Sequence, residues 1–387
     1  MRLARWRTGI MIIGVPKEIK NHEYRVGMTP SAVRELVGHG HRVVVETQAG
    51  AGIGFSDDDY ARAGASIAGT AAEVFGQGQL IVKVKEPQAG ERAMLTPDHT
   101  LFTYLHLAPD RAQTDDLIAS GATCIAYETV TDDHGHLPLL APMSEVAGRM
   151  SVQAGAHCLE KSLGGRGVLL GGVPGVSPAR VTVIGGGVVG QNALAMAVGL
   201  GADVTVLDRN MEVLRSLDRQ YGNRIRTLFS TADALEQAVT EADLVIGAVL
   251  IPGASAPKLV TRDMLRGMPD GSVLVDVAID QGGCVETSRA TTHDNPTFVE
   301  EGVVHYCVAN MPGAVARTST LALNNVTLPY IVALADQGTA QALLNDAHLR
   351  RGLNVCRGQV GYREVAEAHG YDAVDPDTLV SQLVNNP

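Results

Sequence analysis

The sequence has few aromatic residues and no long apolar run, and each absence excludes a class of protein. Aromatic residues make up only 4% of the 387 residues, whereas glycine occurs 43 times. This composition suits parallel α/β layers whose backbones approach closely. No uninterrupted apolar stretch reaches the roughly 18 to 20 residues that span a bilayer, and residues 1–10 lack the apolar core of a signal peptide. We therefore expect a soluble, unprocessed protein with no membrane partner.

Basic runs and paired cysteines are also missing. The net charge is −11, which gives little electrostatic support for binding nucleic acid. The five cysteines are odd in number, widely scattered and free of any C-x-x-C pair. This pattern argues against a disulfide framework and against a zinc site, and it favours a reducing cytoplasm. We predict no metal and no nucleic-acid partner.

The length and the periodicity predict two α/β domains. A chain of 387 residues exceeds the roughly 250 to 300 at which a single core stops growing. Strand-like runs alternate with helix-like runs from residue 11 to about 126, and again from 181 to about 278. Each series predicts a doubly wound, Rossmann-like domain with a mostly parallel sheet, and an active-site cleft is expected between the two.

Long helices are expected to join the two domains. The stretch 144–163 predicts one helix, with Ser144 as its N-cap and Gly164 after its end. The sequence is helical again over 317–349, and the simplest topology returns this tail to the first domain. We therefore predict a discontinuous substrate domain of residues 1–138 plus 317–387, and a nucleotide-binding domain of residues 139–316.

The segment "VTVIGGGVVG" carries the strongest local motif. Gly185, Gly187 and Gly190 have G-x-G-x-x-G spacing between a β-branched strand and an apolar helix, and Asp208 ends the next strand. Such a loop lets the backbone reach a pyrophosphate, and the carboxylate accepts the adenosine ribose hydroxyls. The alternative is a glycine turn chosen for packing, with a solvated Asp208. An acid here repels a 2′-phosphate and favours NAD over NADP, although Arg209 weakens that preference.

Cationic residues follow the predicted strands of the first domain. Arg25 lies in the loop after the first strand, Lys83 and Lys85 end "LIVKVKEP", and His106 ends "LFTYLHL". Ligands of open α/β sheets bind beyond the carboxyl ends of the strands. Arginine grips a carboxylate, lysine polarises a carbonyl and histidine passes a proton near neutral pH, so this set suits a small α-keto or α-amino acid.

Each of these residues also has a structural interpretation. Arg25 can pair with Glu23, one lysine can snorkel or pair with Glu86, and a lone histidine at a strand end is more often structural. Lys85 lies two residues, or about 7 Å, further toward the open end of the strand than Lys83. We therefore predict Lys85 as the substrate contact and Lys83 as structural.

Two polar residues follow strands of the second domain. Asp280 lies near where a nicotinamide is expected, or is an ordinary turn residue before Gly282. Asn310 is either a ligand contact or a turn residue. Five other histidines fall in polar loops and are expected to be solvated, namely His22, His39, His41, His134 and His136.

Taken together, the motifs over residues 11 to 350 resemble the alanine dehydrogenase family. The matching segments are "GVPKEIKNHEYRV" (14–26), "KVKEP" (83–87), "LFTYLHLA" (101–108), "AYETV" (126–130), "LPLLAPMSEVAGR" (137–149), "GGVPGV" (171–176), "DLVIGAVLIPGASAPKLV" (243–260), "LVDVAIDQGGC" (274–284) and "VANMPGAV" (308–315). The resemblance implies a cytoplasmic, typically hexameric enzyme that uses NAD to interconvert L-alanine with pyruvate and ammonium.

The resemblance also implies roles for individual residues. His106 and Asp280 correspond to the catalytic pair, and Arg25 and Lys85 to the substrate-binding pair. The implied cofactor contacts beyond the glycine loop and Asp208 are Ser144, Val188, Ser230, Val249, Leu250, Ile279, Asn310 and Met311. Two other functions stay open: the NAD-binding α subunit of proton-translocating transhydrogenase, and a non-catalytic NAD-binding sensor.

Overall fold

The computed structural model describes residues 9–249 and 256–385. The chain forms two compact units, which we call unit 1 (Met1–Pro142 and Val315–Pro387) and unit 2 (Met143–Ala314). Each unit contains one mostly parallel sheet flanked by helices, so the predicted α/β class with two doubly wound sheets is confirmed. The assignment of one unit to substrate and the other to nucleotide stays a prediction. Within the described ranges, no helix combines the length and the apolarity needed to cross a membrane.

Unit 1 is built on an eight-stranded sheet of order β15-β14-β6-β5-β4-β1-β2-β3. Its strands are β1 (Ile12–Val15), β2 (Arg42–Glu46), β3 (Ser66–Ala68), β4 (Leu80–Val82), β5 (Thr100–Thr103), β6 (Thr123–Ala126), β14 (Leu353–Cys356) and β15 (Gln359–Val360). The strands from β6 to β3 are parallel, and β14 and β15 add antiparallel pairs at one edge. The central strands are apolar and buried on both faces, as expected for a parallel sheet that helices cover.

The helices of unit 1 come from both ends of the chain. They are α1 (Pro30–Gly38), α2 (Asp57–Ala63), α3 (Ala71–Gln77), α4 (Ala89–Arg92), α5 (Arg111–Ser120), α11 (Ala316–Gln337), α12 (Thr339–Asn345), α13 (Ala347–Arg350), α14 (Arg363–His369) and α15 (Pro376–Asn385). Local sequence fixes several of their starts. Thr29 caps α1 just before Pro30, and Ser56 forms a reciprocal capping box with Asp59 at α2.

Unit 2 contains a seven-stranded sheet of order β12-β13-β11-β10-β7-β8-β9, in which β12 alone is antiparallel. Its strands are β7 (Arg180–Ile184), β8 (Asp203–Asp208), β9 (Ile225–Phe229), β10 (Leu244–Gly247), β11 (Val273–Asp276), β12 (Thr297–Glu300) and β13 (Val303–Tyr306). Its helices are α6 (Ala141–Cys158), α7 (Val188–Gly199), α8 (Met211–Tyr221), α9 (Ala232–Thr240) and α10 (Arg262–Arg266). Helix α6 begins at the end of unit 1. The strand order reverses between β7 and β10, which is where this fold binds ligands.

The linking helix differs from its predicted bounds. Helix α6 begins at Ala141, so Ser144 lies inside its first turn and is not its N-cap. Pro142 explains the earlier start, because a residue without an N–H is well tolerated in the first turn. The helix ends at Cys158, since the chain folds back there: a Cβ on Gly165 would lie 2.3 Å from the Cys158 carbonyl oxygen.

One histidine is not solvated as predicted. His41 is 8% exposed, its Nε2 lies 2.9 Å from Oδ1 of Asp336, and its Nδ1 accepts a hydrogen bond from the Met11 backbone. Asp336 belongs to α11, which is 295 residues further along the chain. The local sequence around His41 therefore contains no sign of this partner.

Candidate functional site

The predicted cations of unit 1 follow neighbouring strands. Arg25 lies in the loop after β1, Lys85 after β4 and His106 after β5, and these three strands are adjacent and parallel. The carboxyl ends of parallel strands meet at one edge of a sheet. Glu128 follows β6, the next strand along, so one edge of the unit 1 sheet gathers all four residues.

The end of β4 is fixed by a buried ion cluster. Lys83 is completely buried, and its Nζ lies 3.0 Å from Glu18 Oε2 and 2.7 Å from Glu91 Oε1. Burial opposes the charge of Lys83, but the two carboxylates more than offset this effect and its pKa is raised. Glu18 Oε1 also accepts the backbone N–H of Val84 (2.7 Å) and of Lys85 (3.3 Å). Lys83 thus has the environment expected of a structural residue, whereas Lys85 is only partly buried.

Arg25 has the partner that its structural interpretation predicts. Its Nε and Nη2 donate to the two carboxylate oxygens of Glu23 at 2.6 Å and 2.5 Å, and Arg25 is 2% exposed. This bidentate pair fixes the plane of the guanidinium. Burial opposes the charge, but Glu23 outweighs burial and raises the pKa of Arg25. The arginine is therefore a permanent, precisely oriented cation at this edge of the sheet.

His106 has an unusual backbone and a half-exposed ring. Its φ is +50°, a conformation that L residues rarely adopt, and its side chain is 44% exposed. The ring stacks on Tyr104 with 5.8 Å between centroids and 8° between planes. Glu128 Oε1 accepts the His106 backbone N–H at 2.6 Å and the Leu105 N–H at 3.1 Å, and it lies 3.9 Å from His106 Nδ1.

The predicted nucleotide residues of unit 2 also follow the carboxyl ends of its strands. The glycine loop follows β7, Asp208 ends β8, and Ser230 follows β9. On the other side of the strand-order reversal, Val249 follows β10, Ile279 and Asp280 follow β11, and Asn310 and Met311 follow β13. Of these, Asp280 is exposed, whereas Ile279 and Met311 are buried. Leu250 lies outside the described residues.

The glycine loop has the geometry that a dinucleotide requires. Gly185 has a φ of +100°, and a Cβ on Gly190 would lie 1.8 Å from the Gly185 carbonyl oxygen. These two glycines are therefore needed for the turn itself. By contrast, a Cβ on Gly187 would meet no described atom within 4 Å. Because no described side chain caps helix α7 at Gly187, its first-turn N–H groups suit a pyrophosphate, and the loop fits NAD.

Asp208 is fixed by the same loop. Its Oδ2 accepts the Gly186 backbone N–H and its Oδ1 accepts the Asn210 backbone N–H, both at 2.7 Å. Each carboxylate oxygen has a second lone pair, so both can also accept a ribose hydroxyl. The side chain is thus oriented before any ligand binds.

Helix α6 brings Ser144 toward the same region of unit 2. A Cβ on Gly148, one turn after Ser144, would lie 2.2 Å from the Val189 carbonyl oxygen. The backbones of α6 and α7 are therefore in direct contact beside the glycine loop. Val188, at the start of α7, is 45% exposed, which is high for a large apolar residue and suits contact with a ligand.

Sequence reasoning missed three acids that organise the candidate site. Glu18 and Glu128 hold the ends of β4 and β5. Asp276, at the end of β11, is buried and accepts hydrogen bonds from Ala278 N (3.1 Å), Cys284 N (2.9 Å) and Ser288 Oγ (2.6 Å), and burial raises its pKa. It shapes the turn that carries Asp280. In the sequence, each of these residues is an acid within or beside a strand end. The local sequence cannot distinguish such an acid from one that is exposed to solvent.

Family models cover most of the chain. Residues 14–147 match the N-terminal domain, and residues 151–363 the C-terminal domain, of the model described as alanine dehydrogenase/PNT. The chain belongs to the alanine dehydrogenase/PNT family. Within this family it is 65% identical over 370 residues to the alanine dehydrogenase of Halomonas elongata, which covers 96% of this chain and all of that protein.

Solved structures of the alanine dehydrogenase/PNT family agree. A structure titled L-alanine dehydrogenase is 54% identical, has a TM-score of 0.91, and covers 93% of this chain and 99% of its own. A transhydrogenase from Sinorhizobium meliloti is 26% identical, with a TM-score of 0.77, and covers 91% of this chain and 99% of its own. The transhydrogenase is clearly the more distant of the two.

Proposed function

We propose that this chain catalyses the reversible, NAD-dependent oxidative deamination of L-alanine: L-alanine, NAD⁺ and water give pyruvate, ammonium, NADH and a proton. The observation that carries the proposal is the set of Arg25, Lys85 and His106 on three adjacent strand ends, in a chain 65% identical to an alanine dehydrogenase. By the same resemblance we infer a homo-oligomer, a hexamer in this family, that works in the cytoplasm.

In this proposal unit 1 binds the amino or keto acid. Lys85 and Arg25 hold the carboxylate and the carbonyl oxygen, because two fixed cations suit one small anion. Glu23 keeps the guanidinium of Arg25 in one plane, and Glu18 keeps the Lys85 backbone in place. Orientation of this kind makes the reaction effectively unimolecular.

His106 moves protons. The imidazole removes a proton from the water that attacks the iminium, and returns one as the carbinolamine releases ammonia. Its 44% exposed side chain lets it exchange protons with solvent between turnovers. Asp280, exposed after β11, orients the water or the ammonium.

Unit 2 binds the cofactor. NAD⁺, when bound, accepts a hydride from the substrate α-carbon. Gly187 and the start of α7 would receive the pyrophosphate and Asp208 the ribose, and the remaining contacts would be Ser144, Val188, Ser230, Val249, Leu250, Ile279, Asn310 and Met311.

One assay separates this function from its two rivals. We expect the purified chain to oxidise NADH with pyruvate only when ammonium is present. An α subunit of transhydrogenase, or a non-catalytic sensor, binds NADH but shows no ammonium-dependent oxidation. NADH binding without this reaction would therefore refute the dehydrogenase. The same assay with glyoxylate in place of pyruvate tests whether the protein accepts other small 2-oxo acids.

A further inference from the structure

We propose that Glu128 is the positioning residue for His106: its carboxylate fixes the histidine backbone and accepts Nδ1–H, so that Nε2 is the nitrogen that exchanges protons with substrate. The inference rests on the proposed function and adds a residue that sequence reasoning did not assign. Glu128 lies in the 3₁₀ turn Tyr127–Thr129, directly after β6. This turn places the carboxylate beside the end of β5.

The backbone contacts are the first support. Glu128 Oε1 accepts two consecutive N–H groups, those of Leu105 and His106, at 3.1 Å and 2.6 Å. A non-glycine residue with φ of +50° persists only where the surroundings fix it. Because the two N–H groups converge on one oxygen, the carboxylate stabilises the turn that projects the imidazole.

The position of the ring is the second support. Stacking on Tyr104 restricts the imidazole to one plane, and Tyr104 is itself held by a hydrogen bond from its hydroxyl to the Leu139 carbonyl oxygen at 2.6 Å. In that plane Nδ1 lies 3.9 Å from Glu128 Oε1. The two atoms are thus within ion-pair distance, and the proposed Nδ1–H hydrogen bond requires them to approach by about 1 Å.

The chemistry follows from these contacts. A carboxylate at Nδ1 selects the tautomer with a proton on Nδ1, which leaves Nε2 as the base. When Nε2 takes a proton from water, the carboxylate stabilises the resulting imidazolium. The same proton later leaves with ammonia, so the Glu128–His106 pair ends each turnover unchanged.

Among the described residues of unit 1, Tyr104 stacks on the imidazole from its own strand end and Glu128 approaches it from the turn after β6. Arg25 acts electrostatically on Tyr104, and Tyr362, before α14, has its pKa raised by burial and by the charges of Glu364 and Glu128. Glu128 is therefore the carboxylate that the described part of unit 1 places beside the His106 ring.

The competing interpretation is that Glu128 only caps the turn. Two variants separate the interpretations. In E128Q the amide oxygen still accepts the backbone N–H groups but the charge is lost, whereas E128A loses both. E367Q, an exposed position on α14 of the same unit, is the matched control.

The experiment measures alanine deamination against pH, NADH affinity and the thermal unfolding midpoint for all four proteins. For E128Q we expect kcat to fall at least about tenfold. The acid limb of the kcat/KM profile should move to lower pH, because the imidazolium loses its counter-charge. NADH affinity and the unfolding midpoint should match those of wild type and E367Q, and E128A should lose more activity than E128Q.

Three results would overturn the inference. E128Q with the rate and pH profile of E367Q would show that the charge is not used. Lower activity and a lower unfolding midpoint with an unmoved pH profile would show that Glu128 is only a cap. A wild-type protein that binds NADH but does not oxidise alanine would overturn the proposed function as well, whereas the first two results leave it intact.

Discussion

The two units place their candidate residues at the same kind of position but hold them by different means. Unit 1 fixes its strand ends with acidic side chains, since Glu18 and Glu128 each accept two consecutive backbone N–H groups. Unit 2 fixes the tight turn of its glycine loop with backbone contacts that leave no room for a side chain at Gly190, and the Asp208 carboxylate accepts one further N–H of the loop. The strand ends of unit 1 therefore depend mainly on carboxylate contacts, whereas the turn of the glycine loop depends mainly on steric fit.

The difference follows from what each unit is expected to bind. A small carboxylate requires cations, and a buried cation such as Lys83 is tolerated only with carboxylate partners. A pyrophosphate requires N–H groups that approach closely, and glycine allows this approach. Charge substitutions should therefore damage the strand ends of unit 1 most, and an added methyl group in the glycine loop should be the more damaging change in unit 2.

The largest expected effect on stability is at the end of β4. K83M leaves Glu18 and Glu91 buried without their cation, so the free energy of unfolding should fall by about 3 to 5 kcal/mol. K85M, two residues along and partly exposed, should lower it by no more than about 1 kcal/mol. Urea unfolding of both proteins is the measurement. Equal losses in the two variants would remove the distinction between a structural and a substrate lysine.

The next effect is on turnover. H106Q should lower kcat by about a hundredfold to ten-thousandfold, because the proton shuttle is lost. NADH affinity should stay unchanged, because His106 is not among the proposed cofactor contacts. Steady-state kinetics and NADH titration test this prediction. If both quantities fall equally, the histidine is not a proton shuttle.

A pair of glycine variants tests unit 2. G190A forces a methyl group against the Gly185 carbonyl oxygen and should destabilise the protein by about 1 to 3 kcal/mol. G187A meets no described atom and should leave the unfolding midpoint unchanged, but it should weaken NADH binding roughly tenfold, or about 1.4 kcal/mol. Full NADH affinity in G187A would show that the loop does not approach the cofactor closely.

The smallest effect is a pH dependence next to Lys85. Burial opposes the charge of Glu86, but Lys85 and Lys20 outweigh burial and lower its pKa below the ordinary value of 4.5. As pH falls, Glu86 is therefore protonated at a higher pH in the unfolded chain than in the folded chain. The stabilisation that the ionised Glu86 gives the folded chain is complete above pH 4.5 and is lost below it. Unfolding midpoints measured from pH 7 to pH 3 should fall less steeply for E86Q than for wild type. E367Q, the exposed control, should follow wild type.

Sequence predicted the features that depend on local pattern. The βα alternation and the glycine motif are local, and both the α/β class and the loop geometry agree with them. The features that were missed depend on distant partners: Glu18 reaches Lys83 across 65 residues, and Asp336 reaches His41 across 295. Strand β14 was missed because its four residues pair with β6 from the far end of the chain. The hydrophobic periodicity of the local sequence does not reveal such a pairing.

The central claim is that this chain transfers the α-hydrogen of L-alanine to NAD⁺. The most direct measurement uses L-alanine deuterated at the α-carbon, with mass analysis of the NADH and quantification of pyruvate and ammonium. The account predicts one deuterium in each NADH, and pyruvate, ammonium and NADH in equal amounts. NADH without deuterium, or pyruvate formed without NADH, would contradict it.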